Sequence, residues 1–471
     1  MSARKRTKRT RQLFVVTNRL PVSRIGGSSP TRWKQSSGGL VTALRPTLEQ
    51  HPGEWIGWDG STGRTVRPFD VEGLKIRPVR LASAEVDHYY HGFSNRTLWP
   101  LYHDAIRTPQ FRREWWLPYV EVNLRFARMT ARTARKGDLV WVHDYHLQLA
   151  PAMIRELRPD LRIGFFLHIP FPPEELFTWL PWRKEILVGL LGADVIGFQT
   201  PSSATNFSRV ARHHTDAVGS DSTLAWQGRK IAVRAFPISI DAPGLESLAD
   251  SPKVLAHAGR IKESVGHKRK ILLGVDRIDY TKGIEHRLLA FEHLLRTGAE
   301  TVDSCVLMQI AVPSREAVAD YNETRIRIEQ IVGRINGEFS RPERVPVHYF
   351  RRSLAMQDLA AYYKAADVMV VSPLRDGMNL VAKEFVATRT DSSGVLVLSE
   401  FAGAAKELGR ALLVNPRDTE GFALTLRRAL HLPRPDAARR MRLLRAAVRK
   451  HDVFQWAGEF MDALSGDAGV K

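Results

Sequence analysis

The residues best suited to chemistry lie in PLRDGMNLVAKEF, at positions 373–385. An apolar run at 367–372 precedes this segment, and helix-forming residues end it. The pattern predicts a strand, a tight turn at Gly377 and the start of a helix. Free backbone N–H groups of such a turn can bind an anion or a sugar oxygen, and the Asp376 and Glu384 carboxylates can accept hydrogen bonds from hydroxyl groups. The segment is equally consistent with an ordinary strand–turn–helix corner.

Basic side chains follow another predicted strand, within RKILLGVDRIDYTKGI at 269–284. Arg277 and Lys282 lie five residues apart on the loop that leads to the next helix. Two cations at this spacing can both reach one diphosphate. The loop lacks the glycine pattern GxxxxGK[ST], so it is not the P-loop of a nucleoside triphosphatase.

Polar residues also end the predicted strands of the first half of the chain. Arg19 and His168 each follow a buried apolar run, and Asp144 lies between His143 and His146 after a third run. Because ligands bind at the carboxyl edge of open parallel sheets, these residues are candidates for a ligand site. A metal site is an alternative, but two residues between His143 and His146 do not match the HExxH zinc pattern.

Two further features carry weaker signals. Gly38 and Gly39 precede a predicted helix, where glycine permits close approach of the backbone to a phosphate. The segment 85–120 is rich in aromatic residues, including Tyr90 and Trp99. Aromatic rings fill cores and also stack on sugars, so we expect most of them in the core and one or two in a sugar pocket.

The composition predicts a globular, cytoplasmic protein. The chain has 471 residues, of which 44% are hydrophobic. No apolar run approaches the roughly 18 residues needed to cross a bilayer, and no apolar signal-peptide core follows the basic N-terminus. The single cysteine, Cys305, excludes an internal disulfide and a cysteine-based metal site.

The formal net charge of +20 allows two interpretations, nucleic acid binding or anionic small substrates. Arginine is spread over the whole chain, and only residues 1–12 form a true basic run. We therefore favour anionic small substrates and predict a disordered, solvated N-terminal tail.

Strand and helix signals alternate up to about residue 240 and again after 268, which predicts two α/β domains of parallel βαβ units. We assign 13–240 to an N-terminal domain and 241–450 to a C-terminal domain. A last helix at 451–471 is expected to pack back on the N-terminal domain. Two such domains with facing sheet edges form a ligand cleft.

Several common enzyme classes lack their signature residues in this chain. It has no G-x-S-x-G nucleophile elbow, no G-x-G-x-x-G and no paired Cys/His centre. Hydrolase, dehydrogenase and kinase interpretations are therefore disfavoured. Separate cationic or N–H-rich points in each half indicate two phosphate groups, which favours group transfer between two anionic substrates.

A series of segments along residues 13–463 resembles the trehalose-6-phosphate synthases, which are retaining glycosyltransferases of the GT-B fold. In chain order the segments are VTNRLPVS, SSGGLVTAL, FSNRTLWPLYH, VHDYHLQL, FFLHIPFP, GVDRIDYTKGI, PSRE, SPLRDGMNLVAKEFVA and SEFAGAAKEL. The AFPIS segment at 235–239 resembles actinobacterial members in particular. The resemblance implies an α/β structure with two Rossmann-like, doubly wound domains that face each other across a cleft.

The resemblance also implies an activity. Glucose would pass from a nucleotide-glucose, with UDP, GDP or ADP left open, to glucose 6-phosphate with retention, giving α,α-trehalose 6-phosphate and NDP. It implies no cofactor, no required metal, no nucleic acid or membrane partner, and a homo-oligomer, either a dimer or a tetramer. By this resemblance, Arg19 and Arg315 of this chain would bind the acceptor phosphate. Tyr90, Trp99 and Asp144 would line the acceptor sugar.

The donor site follows from the same resemblance. Arg277 and Lys282 would hold the diphosphate, His168 and Asp376 the glucose, and Glu384 the ribose; Leu354 would meet the base through its backbone. The four residues implied in catalysis are His168, Arg277, Lys282 and Asp376. The full implied donor set is Gly38, Gly39, Arg277, Lys282, Leu354, Asp376, Gly377, Met378, Asn379, Leu380, Val381, Ala382, Lys383 and Glu384.

The family pattern supplies no obvious carboxylate nucleophile, which favours front-face attack over double displacement. A glucosylglycerol-phosphate synthase and a cyclitol-joining pseudo-glycosyltransferase are alternatives with other acceptors. The intact NRLP segment around Arg19 argues against both. A catalytically inactive, regulatory homologue is a third alternative, and the presence of every expected ligand residue argues against it.

Overall fold

The computed structural model describes residues 11–25, 32–35, 44, 47–48, 51–63, 66–315 and 318–466. The chain divides into two compact units, one of Met1–Pro237 with Phe454–Lys471 and one of Ile238–Val453. Each unit has its own largely parallel β-sheet with helices. The prediction of an α/β protein with two parallel-sheet domains is therefore confirmed.

Ten of the described strands of the first unit form one sheet, in the order β10-β11-β12-β9-β8-β7-β1-β4-β6-β5. Its centre is parallel, whereas β5 and β6 pair antiparallel, as do β10, β11 and β12. β2 and β3, which follow β1 in the chain, form a separate antiparallel pair. The strands are β1 (Leu13–Arg19), β2 (Val22–Ile25), β3 (Arg32–Gln35), β4 (Glu54–Trp58), β5 (Phe69–Val71), β6 (Leu74–Pro78), β7 (Leu139–His143), β8 (Arg162–Phe166), β9 (Val195–Phe198), β10 (Val218–Gly219), β11 (Thr223–Trp226) and β12 (Arg229–Ala235).

The helices of the first unit include one element that the sequence did not suggest. Residues Val86–Leu98 form a π-helix, flanked by short helical turns at Ser83–Glu85 and Trp99–Tyr102. A π-helix this long is rare, and π segments occur mostly at functional sites. The other described helices are α1 (Arg113–Thr133), α2 (Ala150–Leu157), the turn Glu174–Phe177, α3 (Arg183–Leu191) and α4 (Pro201–His214).

The C-terminal helix of the chain, Val453–Ser465, packs on the sheet of the first unit. The ring of Phe460 lies parallel to that of Trp141 on β7, with 4.1 Å between the centroids. Gly164 on β8 and Gly197 on β9 leave room for Phe460, because a Cβ atom at either position would lie within 2.8 Å of its ring. Two glycines in the middle of strands thus have a packing reason.

The second unit has a fully parallel six-stranded sheet, in the order β15-β14-β13-β16-β17-β18. The four inner strands are almost entirely buried and read as apolar runs, as strands covered on both faces do, whereas the edge strands β15 and β18 are partly exposed. The strands are β13 (Lys270–Arg277), β14 (Cys305–Val312), β15 (Val347–Phe350), β16 (Val368–Val371), β17 (Val395–Ser399) and β18 (Leu412–Val414).

Helices pack against this second sheet, and Leu288 and Phe291 of one helix and Leu426 of another join an apolar core with its strands. The described helices are α5 (Ala242–Ala249), α6 (Pro252–Val265), α7 (Ile284–Arg296), α8 (Ala319–Phe339), α9 (Met356–Ala365), α10 (Leu380–Thr388), α11 (Thr419–Leu430) and α12 (Arg434–Lys450); the C-terminal helix is α13 (Val453–Ser465). The order β13 next to β16 brings together two loops that are far apart in the sequence.

Candidate active site

The carboxyl end of β1 presents Arg19 beside an aromatic ring. Its guanidinium carbon lies 4.6 Å from the centroid of the Trp58 ring, which allows a cation–π contact. Gly60 has a φ of +88°, and a Cβ atom there would lie 2.2 Å from the Arg19 Nη1 atom. Gly60 therefore has both a conformational and a steric reason to be glycine.

The π-helix presents Tyr90 to the same place. The Tyr90 ring packs edge-on against Trp58 at 5.9 Å and stacks on His146 at 5.7 Å with an interplanar angle of 11°. Trp99 is only 4% exposed, and its ring packs against His103 at 4.2 Å. Tyr90 thus shares a ring cluster with Arg19, whereas Trp99 contributes mainly to the core behind it.

Asp144 and His168 meet because β7 and β8 are neighbours in the parallel sheet. The Asp144 Oδ1 atom accepts a hydrogen bond from the His168 backbone N–H at 3.3 Å. Asp144 has a φ of +73°, which is uncommon for a residue other than glycine. Such strain is typical of functional positions held by their surroundings.

A buried neighbour, His143, completes this edge, although the sequence pointed to it only as part of a polar cluster. Its Nδ1 atom lies 3.1 Å from the Nε2 atom of His168. Burial lowers the pKa of His168 to about 3 and holds the pKa of His143 well below its usual range, with His168 adding to the latter effect. Both rings are therefore neutral near pH 7. We call Arg19, His143, Asp144 and His168 the histidine edge.

The corresponding edge of the second unit is charged. The Lys282 Nζ atom donates a hydrogen bond to the Asp376 Oδ2 atom at 2.6 Å, and both side chains are largely buried. Arg277 ends β13 with its side chain exposed. Lys282 follows β13 and Asp376 follows β16, and these strands are hydrogen-bonded neighbours. The structure therefore joins two segments that the sequence separates by 94 residues.

Asp279 organises the loop after β13. Its Oδ1 atom accepts hydrogen bonds from the Thr281 N–H at 3.0 Å and hydroxyl at 2.9 Å. Burial acts to raise the pKa of Asp279, but Arg315, Arg277 and Lys282 outweigh it and the net pKa is lowered. An ionised carboxylate thus lies among three cations, a role that the sequence analysis did not assign.

Arg315 reaches the same carboxylate from the end of β14. Its Nη1 atom lies 3.8 Å from the Asp279 Oδ2 atom and also donates to the Tyr321 hydroxyl. The backbone of Arg315 is left-handed, with a φ of +48°. We call Arg277, Asp279, Lys282, Arg315 and Asp376 the cation edge.

The turn at 376–380 differs from the predicted glycine turn. The left-handed residue is Asn379, with a φ of +112°, and not Gly377. The Asn379 Oδ1 atom caps α10 by accepting from the Ala382 N–H at 3.1 Å, and its Nδ2 atom donates to Asp376 at 3.2 Å. The predicted set of free N–H groups is thus reduced, because an asparagine side chain occupies one of them.

The turn packs closely against the segment after β17, and the glycine at 403 allows this approach. A Cβ atom at Gly403 would lie 1.9 Å from the Gly377 carbonyl oxygen. The backbone N–H groups of Asp376, Gly403 and Ala404 are used in hydrogen bonds between the two segments. Of the other predicted turn residues, Met378 and Ala382 are buried, while Leu380 and Val381 are partly exposed.

On α10, Glu384 and Lys383 point to different partners. The Tyr363 hydroxyl donates to the Glu384 Oε2 atom at 2.8 Å, and burial raises the pKa of Glu384. The Lys383 ammonium group donates to Glu407 at 2.9 Å and to the Ile238 carbonyl at 2.9 Å in a buried pair. The charge of Lys383 is therefore neutralised within the protein, which leaves only its backbone for a ligand.

The remaining predicted residues are peripheral or lie outside the described part. Leu354 is partly exposed, in the loop between β15 and α9. Gly38 and Gly39 lie outside the described residues.

Within the described ranges, no three His, Cys, Asp or Glu side chains are grouped so that they could hold a metal ion. No helix in these ranges combines the length and the apolar character needed to cross a membrane.

Comparison with known proteins shows the family to which the chain belongs. The family description "Glycosyltransferase family 20" matches residues 11–466. The trehalose-6-phosphate synthase of Mycolicibacterium gilvum is 51% identical over 467 residues, which cover 96% of this chain and 93% of that protein.

Two solved structures are similar along nearly their whole length. One is described as trehalose-6-phosphate from E. coli bound with UDP-2-fluoro glucose, with 33% identity, a TM-score of 0.89 and coverage of 96% of this chain and 99% of that one. The other is a UDP-forming α,α-trehalose-phosphate synthase from Burkholderia xenovorans in complex with glucose-6-phosphate, with 35% identity, a TM-score of 0.88 and coverage of 97% and 100%. The chain therefore belongs to glycosyltransferase family 20 and is a glycosyltransferase of the trehalose-6-phosphate synthase type, with the GT-B fold.

Proposed function

We propose that this enzyme transfers glucose from a nucleotide-glucose to glucose 6-phosphate with retention, giving α,α-trehalose 6-phosphate and a nucleoside diphosphate. The observation that carries the proposal is the 2.6 Å contact between Lys282 and Asp376. It brings a cation suited to a leaving diphosphate next to a carboxylate suited to sugar hydroxyls. The relatives named above support the same reaction.

The cation edge supplies the donor half of the proposal. Arg277 and Lys282 bind the diphosphate and stabilise its charge as the glycosidic bond breaks. Lys282 exchanges part of its contact with Asp376 for a phosphate oxygen, which leaves Asp376 able to accept from glucose hydroxyls. Glu384, already held by Tyr363, accepts from the ribose, and Leu354 meets the base through its backbone.

The acceptor half is assigned to the remaining residues. Arg19 and Arg315 bind the phosphate of glucose 6-phosphate, because a guanidinium matches phosphate in a bidentate manner. Tyr90 supplies a ring face and Asp144 a carboxylate for the acceptor sugar, and Trp99 supports them from the core. His168 is assigned to the donor glucose.

The reaction needs no protein nucleophile. The bond between the glucose C1 atom and the leaving phosphate oxygen breaks, and the acceptor hydroxyl oxygen bonds to C1 on the same face. The acceptor proton passes to the departing phosphate oxygen, so that charge and atoms balance. The protein positions both substrates and stabilises the diphosphate. Retention follows if an α-linked donor gives an α,α-linked product.

A substrate panel tests the proposal. Purified enzyme is incubated with UDP-, GDP- or ADP-glucose and with glucose 6-phosphate or glycerol 3-phosphate, and the product is identified by NMR. We expect α,α-trehalose 6-phosphate with at least one donor, and the panel identifies which nucleotide base the donor carries. A product only with glycerol 3-phosphate, or an inverted linkage, would overturn the proposal. A cytoplasmic location and a homo-oligomeric state stay predictions from the sequence.

A further inference from the structure

His143 has no assigned role, yet it contacts an assigned residue in an unusual way. It is 1% exposed at the end of β7, and its ring lies 4.8 Å from that of Trp141 and 6.4 Å from that of Phe166, measured between centroids. Its Nδ1 atom is 3.1 Å from the Nε2 atom of His168. Two imidazole rings thus share one hydrogen bond inside an aromatic environment.

The shared hydrogen bond requires one proton between the two nitrogen atoms. A neutral imidazole carries a proton on one nitrogen and a lone pair on the other. Either His143 donates from Nδ1 and His168 accepts at Nε2, or His168 donates from Nε2 and His143 accepts at Nδ1. The first arrangement places the other proton of the pair on Nδ1 of His168, and the second places it on Nε2 of His143.

The surroundings of His143 distinguish these two arrangements. Among the described residues, neither the His143 Nε2 atom nor the neighbouring Trp141 Nε1 atom has a hydrogen-bond partner. If His168 donated, His143 would carry its proton on Nε2, and two buried N–H donors would lack acceptors. If His143 donates, its unpartnered Nε2 atom is a lone pair, and Trp141 Nε1 is the one buried N–H of these two atoms that lacks an acceptor. A buried N–H without a partner is the rarer and more costly of the two.

We propose that His143 is a positioning residue that donates its Nδ1 proton to Nε2 of His168 and thereby fixes His168 as the Nδ1–H tautomer. His168 is partly exposed, so its Nδ1–H group is a donor for a ligand oxygen. The hydrogen bond from the His168 backbone to Asp144 holds the same residue from its other side. The inference rests on the proposed function in one respect, namely that the ligand oxygen belongs to the donor sugar.

The tautomer can be measured without any substrate. In ¹⁵N-histidine-labelled enzyme, protonated and unprotonated ring nitrogens give well-separated NMR signals, and spectra of His168→Asn and His143→Asn assign the two residues. We expect a protonated Nδ1 and an unprotonated Nε2 for both rings. A protonated Nε2 on His168 would overturn the proposal even in a fully active enzyme, so its failure is distinct from failure of the proposed function.

Kinetics of matched variants test the consequence. His143→Leu removes the donor at similar bulk and should lower kcat/KM for the nucleotide-glucose about 10- to 100-fold, with the KM for glucose 6-phosphate unchanged. His143→Asn places an amide N–H near the former Nδ1 position and should restore part of this loss. Trp141→Phe alters the same apolar cluster without removing a hydrogen bond, and should retain near wild-type kinetics. Equal losses in all three variants, or no loss in His143→Leu, would contradict the positioning role.

Discussion

The histidine edge and the cation edge end comparable parallel strands, but burial produces opposite charge states in them. At the histidine edge, burial lowers the pKa of His168 to about 3 and holds the pKa of His143 well below its usual range, so both rings are neutral. At the cation edge, Asp279 is as buried as His143, but three cations lower its pKa and keep it ionised. The difference shows that neighbouring charges, more than burial itself, decide whether a buried group at a sheet edge is charged.

The largest expected effect comes from removing the cation that is paired with Asp376. Lys282→Ala should lower kcat roughly 100- to 1,000-fold, because one charge that stabilises the leaving diphosphate is lost. Steady-state kinetics and circular dichroism of the purified variant measure activity and folding. Lys364→Ala serves as the matched control, since Lys364 pairs with Asp250 away from the cation edge. A folded Lys282→Ala enzyme with near wild-type turnover would show that this role is wrong.

The next largest effect tests the anchor of the cation edge. Asp279→Asn keeps an oxygen for the Thr281 N–H but removes the negative charge that holds three cations together. We expect kcat/KM to fall about 10- to 100-fold, as for the loss of a charged hydrogen-bonding partner. Asp418→Asn is the control, because Asp418 caps α11 in the same manner on the surface. Equal effects in both variants would show that Asp279 acts only as a helix cap, and would contradict its role in holding the three cations.

The comparison also predicts different responses to acid. A histidine whose pKa is lower in the folded than in the unfolded chain contributes stability above pH 6.5, and this stability is lost as the pH falls from 6.5 towards 3. The loss is about 1.4 kcal/mol per pH unit for each such histidine. Urea unfolding of the wild type and of His143→Leu between pH 7.5 and 5 should show a shallower dependence in the variant. His451→Gln, at an exposed position, should follow the wild type, and parallel curves for all three would contradict neutral burial.

The smallest effect is expected at Glu384. Tyr363→Phe removes the hydroxyl that donates to this carboxylate at 2.8 Å. The loss of one hydrogen bond should raise the KM for the nucleotide-glucose by about 5- to 10-fold and leave kcat nearly unchanged. An unchanged KM would indicate that Tyr363 does not orient Glu384 for the ribose. Tyr362→Phe, at the neighbouring position on α9, is the control.

Much of the fold could be predicted because apolar periodicity and strand-end polarity are local properties of the chain. The alternation of strands and helices predicted two parallel α/β domains, and the ends of β1, β7, β8, β13 and β16 carry the polar residues expected there. The turn was predicted less well. The sequence predicted a tight turn at Gly377, whereas the positive φ of this turn is at Asn379, whose side chain caps α10 and donates to Asp376.

The sequence by itself determined the fold class, the chemical nature of each strand end and the family. Only the tertiary structure decided which strand ends meet, because hydrophobic patterns specify that a strand is buried but not which strand lies beside it. The order β13 next to β16 produces the contact between Lys282 and Asp376, and β7 next to β8 produces that between His143 and His168. Two further contacts are also tertiary: Lys383 donates to Glu407, and Asp279 lies among three cations. No local pattern in the chain specifies either contact.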